Sequence, residues 1–224
     1  MDDTTWALIE TERRSLADLL EPLSPEQWSS PSLCTEWRVR DVAAHLVMPP
    51  AGAPTVPAMT RALVANRGRL WPAGRDVAVA YAAMPPGDLV AGLRRDAAVR
   101  TKPRFIAASN LLPDLVVHGQ DIAVPLGIDR SVPAEAGRRA LDRIWSMGWP
   151  FHARRRFVGV TLRADDCGWS VGGGPEVEGT AAQLLLLMTG RRGALEDLRG
   201  AGVEILRSRV DEQPRPHTEE GARP

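Results

Sequence analysis

The stretch "LLPDLVVHGQDI", residues 111–122, sets Asp114 four residues before His118 in an otherwise apolar run, with Asp121 three residues further on. Leucine, valine and isoleucine recur there at the spacing of a helix. Four residues make about one turn, so the acid and the imidazole project from the same face. A helix that buries an apolar stripe and still stacks an acid on an imidazole can hold one ion or one proton between the two.

Extending the helical period in both directions gives the rest of the organisation. Residues 104–124 form one long helical pattern that Pro113 either kinks or starts. Upstream, residues 4–22 place Trp6, Leu8, Ile9, Leu16, Leu19 and Leu20 at near-helical spacing, and "EPLSPEQW" ends that helix and opens a loop. After the loop "SSPSLCTEW", the segment "VRDVAAHLVM" puts Val39, Val42, Ala43 and Leu46 on one face, carries His45 in its last turns and stops at Pro49-Pro50. "TVPAMTRALVANRGRL" predicts another helix, which Gly/Pro punctuation separates from "DVAVAYAAM" and "PGDLVAGLRRDAAVR". "VPAEAGRRALDRIWSMGWPF" adds one more, beginning near Pro133.

From Arg156 the period changes. "RFVGVTLRA" alternates, "DDCG" is turn chemistry and "WSVGG" resumes an extended run, which predicts a β-hairpin. "GTAAQLLLLMTGRRG" reads as a buried helix and "ALEDLRGAGVEILRSRV" as a short closing unit. The pattern is α+β, with a helical domain over residues 1–150 and a small α/β domain over 151–210. A tail over 211–224, rich in proline and charge, has too little apolar surface to fold.

Composition excludes several function classes. With 28 basic and 28 acidic residues among 224 the formal charge is zero, so no global field draws in nucleic acid or an anionic membrane. Lys102 is the only lysine, a bias from which nothing functional follows. A chain of this length buries its own core without metal or disulfide. Cys34 and Cys167 match no ligand spacing and suggest a reducing compartment. The acidic start "MDDTTWALIE" lacks the features of a signal peptide, and no apolar run is long enough to cross a bilayer, so the expected setting is cytoplasmic.

An Asp and a His at i, i+4, joined by a ligand from another helix, make a facial three-ligand set that leaves positions open for water or substrate. His45 is the natural third member, since His152 lies at the domain junction and His217 in the tail. Asp41, one turn before His45, and Asp121, three residues after His118, could each orient a ligand imidazole from behind. Spacing alone does not separate this from a solvated acid/imidazole pair and a satisfied core histidine. Other signals are weaker. The glycine run after the hairpin does not open a helix and so is not a phosphate loop. Ser109 and Cys34 have no evident base, and Cys34 reads as a small hydrophobe. Asp165 and Asp166 read as turn residues, and Trp28 and Trp37 as core anchors.

Taken together, the motifs resemble a known family. "LSPEQWSSPSLCTEWRVRDVAAHLV", residues 23–47, resembles the N-terminal signature of the mycothiol-dependent maleylpyruvate isomerases: a Trp, a short loop with Pro and Cys, a Trp, then Val-Arg-Asp and Ala-His-Leu. "DLVVHGQDIAVPLG" is similar to the family's second motif and "VEGTAAQLLLLMTGR" to its third element. The resemblance implies a DinB-like, up-and-down four-helix-type bundle followed by a small C-terminal domain. It further implies a divalent ion, usually zinc, on His45, Asp114 and His118. The family's acid is Glu, and Asp114 is shorter by one methylene. Mycothiol is the implied cosubstrate, a small maleylpyruvate-like electrophile the substrate, and Arg191 of "MTGR" the cationic clamp for a dianion. By itself Arg191 is equally a charge favoured at a helix C-terminus. The expected activity is a metal- and mycothiol-dependent isomerase or thiol S-transferase, acting as a monomer or homodimer. The alternative is a non-catalytic metal-binding or ligand-sensing bundle.

Overall fold

A computed structural model of the chain describes residues 2–49, 55–101 and 108–211. It is α+β, with helices throughout and a three-stranded sheet near the C-terminus. The chain divides into two compact units, Met1–Arg143 and Ile144–Pro224.

The first unit is helical. Helix α1 (Asp3–Leu20) starts on Asp2, whose side chain accepts from the Thr5 amide at 2.8 Å. A short α2 (Pro25–Ser29) follows, then α3 (Val39–Val47), α4 (Val56–Ala65), α5 (Leu70–Tyr81), α6 (Pro86–Arg95), α7 (Leu111–Ala123) and α8 (Ala134–Ser146), which runs past the unit boundary at Arg143. Helices α1 and α3 each pack against both α6 and α7, so these four close into a ring of neighbours. Its interior is filled by Ile9 and Leu16 of α1, Val42 and Leu46 of α3, Leu89 and Leu93 of α6, and Leu112 and Val116 of α7, all buried. Each such side chain contributes about 1.5–3 kcal/mol by leaving water. The ring places α3 directly beside α7, which brings His45 to the face that carries Asp114 and His118.

Several local expectations are refined. Part of the segment read as a loop after α1 is α2, because Ser24 and Gln27 form a reciprocal capping box and Pro25 occupies the first helical position. The helix read as "DVAVAYAAM" begins earlier, at Leu70, since Pro72 falls in the first turn, where no intrahelical amide bond is lost. Pro113 likewise lies in the first turn of α7 and does not kink it. The start of the pattern read from Arg104 lies outside the described residues, as does the tail beyond Asp211, which itself ends the last helix.

In the second unit, a short α9 (Ala153–Arg156) precedes β1 (Thr161–Ala164), β2 (Trp169–Gly172) and β3 (Glu176–Gly179). The hairpin is present, with Thr161 opposite Gly172 and Ala164 opposite Trp169. The sequence reading missed β3, which runs parallel to β1 on its other side and gives the order β2-β1-β3. The glycine run serves this crossing. Gly172 and Gly174 have φ of 95° and 120°, and a Cβ on either would lie 2.3 or 2.4 Å from a carbonyl oxygen at the start of β1. Helix α10 (Ala181–Met188), capped by Thr180 and Gln183, packs its leucines on the sheet, and α11 (Gly202–Asp211) packs on β3. Asp166 accepts from the Ala181 amide at 2.9 Å, so this turn residue also caps α10. No described helix is long and apolar enough to cross a membrane.

Candidate metal centre

Helix α3 presents His45 and α7 presents Asp114, His118 and Asp121 to one another across their contact. His45 Nε2 lies 3.3 Å from Asp114 Oδ2, and His118 Nε2 lies 3.4 Å from Asp114 Oδ1. These separations discriminate between two arrangements. A direct hydrogen bond between an imidazolium and a carboxylate closes to about 2.7–2.9 Å. Two donors sharing one tetrahedral zinc at about 2.0–2.1 Å stand roughly 3.3 Å apart. The observed spacing suits donors that share a cation. The carboxylate presents a different oxygen to each imidazole, and the set therefore fits a small divalent ion.

On its other nitrogen His118 makes a tighter contact. Nδ1 lies 2.8 Å from Oδ2 of Asp121, whose side chain is 0 % exposed. That is hydrogen-bond length, and it fixes the imidazole so that Nε2 faces Asp114; Cys34, His118 and Asp121 also lie close enough together to form a second potential ligand group. Exposure is graded across the array: Asp121 is closed off, His118 is 17 % exposed, and His45 and Asp114 are 28 % and 37 % exposed. The array thus opens to solvent on the Asp114 side.

The electrostatics follow from this geometry. Burial alone would raise the Asp114 carboxyl, but the adjacent imidazoles of His45 and His118 hold it well below the usual carboxylate range. Burial alone would lower His118, but Asp114 first, then Asp121 and Cys34, push it well above an ordinary imidazole. His118 thus lies between the carboxyl groups of Asp114 and Asp121, both of which favour its protonated form.

Asp41 takes a different post. Its carboxylate accepts from the Arg38 amide and Nε, each at 2.9 Å, and from Arg38 NH2 at 3.0 Å, so it caps the first turn of α3. Arg191, in the second unit, closes the end of α10: its amide donates to Leu186 and its NH1 to Thr189, at 2.9 and 3.1 Å.

Two residues near the array were read differently from sequence. Trp37 is no core anchor. It stacks nearly parallel to the His118 ring, with centroids 6.4 Å apart, and meets His45 edge-on at 5.5 Å. Cys34 is more than a small hydrophobe: its Sγ lies 3.1 Å from Asp121 Oδ2 and 3.5 Å from His118 Nδ1. The punctuated "SPSLCTEW" between two helices was the available signal for both. A cavity of about 770 Å³ in the same unit is lined by Leu20, Leu23, Trp28, Pro86, Val90 and Arg94, among others, and by no member of the array. Its walls are apolar, and Arg94 is neutralised by Glu21 and Asp18. It offers no chemistry of its own.

Comparison with known proteins agrees with the resemblance read from the sequence. Residues 9–69 match the family described as "Mycothiol maleylpyruvate isomerase N-terminal domain", a span that includes Cys34, Trp37, Asp41 and His45. No curated protein sequence matches the chain significantly. Among solved structures, a crystal structure of the mycothiol-dependent maleylpyruvate isomerase aligns with a TM-score of 0.56 at 17% identity, and one of a mutant of it with 0.55 at 15%. Each alignment covers 94% of this chain and 94% of the other. At such identity the likeness is one of fold, and it extends over both units.

Proposed function

We propose that this chain is a divalent-metal-dependent enzyme that uses mycothiol to isomerise, or to transfer the thiol to, a small electrophile of the maleylpyruvate kind. The observation that carries the reading is the convergence of His45 Nε2 and His118 Nε2 on the Asp114 carboxylate at 3.3 and 3.4 Å. The family match over residues 9–69 supports the His45 half of the set, and the choice of mycothiol rests on that match and on the likeness in fold. His45, Asp114 and His118 would hold the ion. When bound, such an ion lowers the pKa of a coordinated thiol and keeps it as thiolate at neutral pH.

The chain's own residues then have separate tasks. Asp121 retains the proton on His118 Nδ1, which leaves Nε2 directed at Asp114. Trp37 packs parallel to the His118 ring and edge-on to that of His45, and so limits the rotation of both. The exposed edge of Asp114 is where a substrate can approach. Arg191 is proposed to receive the carboxylate of an anionic electrophile through its planar fork. A cytoplasmic setting belongs to the same reading, since Cys34 and Cys167 are thiols.

The test is a thiol-consumption and product assay on zinc-loaded protein with mycothiol and a panel of electrophiles that includes maleylpyruvate. Turnover that requires both metal and mycothiol is expected. A protein that binds the metal but turns over none of them would be the ligand-sensing bundle instead.

A further inference from the structure

We infer that Cys34 is a positioning residue for the metal centre: its thiol donates to Asp121 and so fixes the carboxylate that orients His118. This rests on His45, Asp114 and His118 being the ligands. Asp121 is a carboxylate with 0 % exposure, and a charge so buried is tolerated only when donors surround it. Oδ2 accepts from His118 Nδ1–H at 2.8 Å and from Cys34 at 3.1 Å. In the Cys34 contact the thiol is the donor and the carboxylate oxygen the acceptor. The Cys34–His118 separation of 3.5 Å is secondary, since the Nδ1 proton goes to the nearer oxygen.

The loop that carries Cys34 is built to hold this contact. The Ser32 hydroxyl accepts from the Cys34 amide at 3.1 Å and donates to the Trp37 carbonyl at 3.0 Å, while the Trp37 amide donates to the Cys34 carbonyl at 3.0 Å. The Leu33 amide donates to the Asp121 main-chain carbonyl at 3.1 Å, so consecutive loop residues grip the backbone and the side chain of Asp121. The Val39 amide closes the loop on Ser30 at 2.9 Å, at the first turn of the helix that carries His45. One loop therefore ties together the two helices that supply the ligands. Cys34, His118 and Asp121 could themselves gather round an ion, but here Nδ1 and Oδ2 are joined by a 2.8 Å hydrogen bond, and Cys34 acts as a donor to Asp121 and not as a ligand.

The experiment measures zinc affinity by chelator competition at a single pH for wild type, Cys34→Ala, Cys34→Ser, Asp121→Asn and His118→Ala. Loss of an outer partner of a ligand histidine typically costs about 10- to 100-fold, so Cys34→Ala should bind about tenfold more weakly, at the mild end for a weak donor. Cys34→Ser keeps a donor and should return to within about threefold of wild type. Wild type loaded with cobalt(II) should show no sulfur-to-cobalt charge-transfer band. The inference is overturned if Cys34→Ala binds as wild type does, if serine fails to rescue, or if the charge-transfer band appears. Weak binding by His118→Ala and Asp121→Asn beside normal binding by Cys34→Ala would refute only the role of Cys34. Normal binding by His118→Ala would refute the ligand assignment beneath it.

Discussion

Replacing Asp121 with Asn removes one charge and almost no volume, and so isolates what the buried carboxylate does for His118. In the wild type its Oδ2 takes the Nδ1 proton at 2.8 Å, and with 0 % exposure no solvent screens the contact. A hydrogen bond to a charged group contributes about 1.5–3 kcal/mol. The variant recovers part of this because a neutral amide is cheaper to bury, which leaves a net loss of about 1–2 kcal/mol in the metal-free protein. For a chain of this size that corresponds to a fall in Tm of about 2–8 °C. His118 should remain raised, though less so, because Asp114 contributes more to the shift than Asp121 does. Zinc affinity should fall about 10- to 100-fold, or roughly 1.4–2.7 kcal/mol. Thermal melts of the apo protein and chelator competition on the loaded protein measure the two effects separately. Wild-type affinity together with a wild-type melt would refute the claim that Asp121 holds the ring.

The ion must displace a proton from His118, whose pKa is raised, so zinc affinity should climb with pH from acid through neutrality, with about one proton released per ion, measurable by calorimetry in buffers of different ionisation enthalpy. The metal-free protein should show the opposite trend: the raised His118 stabilises the fold fully below the ordinary imidazole range, and that contribution is lost as pH rises through its folded value, while the lowered Asp114 contributes above the ordinary carboxylate range and is lost in acid. The gap in Tm between loaded and metal-free protein should therefore widen with pH. Chelation should leave the far-UV CD spectrum unchanged, because the ring of four helices has its own core; collapse of the helical signal would make the ion structural. Arg191→Lys should lower turnover about tenfold or more, at unchanged metal content and Tm, if its fork binds the substrate; full activity would refute that role.

How much of this was legible from sequence depended on the range of the interaction concerned. Helix α7 and its Asp114–His118 face were readable because period and spacing are local. The hairpin was readable from alternation around "DDCG". Strand β3 was not, since "EVEG" is four residues with two acids and a glycine, and it forms only by pairing with β1. Asp41 shows the limit of spacing as a guide. It does lie one turn before His45, yet in the first turn of α3 the nearest unsatisfied donors are those of Arg38, and these claim the carboxylate. Cys34 and Trp37 were in view as part of a motif, but Cys34 meets His118 and Asp121, and Trp37 meets His118, more than 80 residues away on α7, and no local pattern encodes a contact of that range.

The most direct test of the account is elemental analysis of protein purified without chelators, wild type beside His45→Ala, Asp114→Ala and His118→Ala. The account predicts about one divalent ion per wild-type chain and its loss from each variant, with all of them still helical by CD. Metal retained at the wild-type level by folded His118→Ala protein would contradict it.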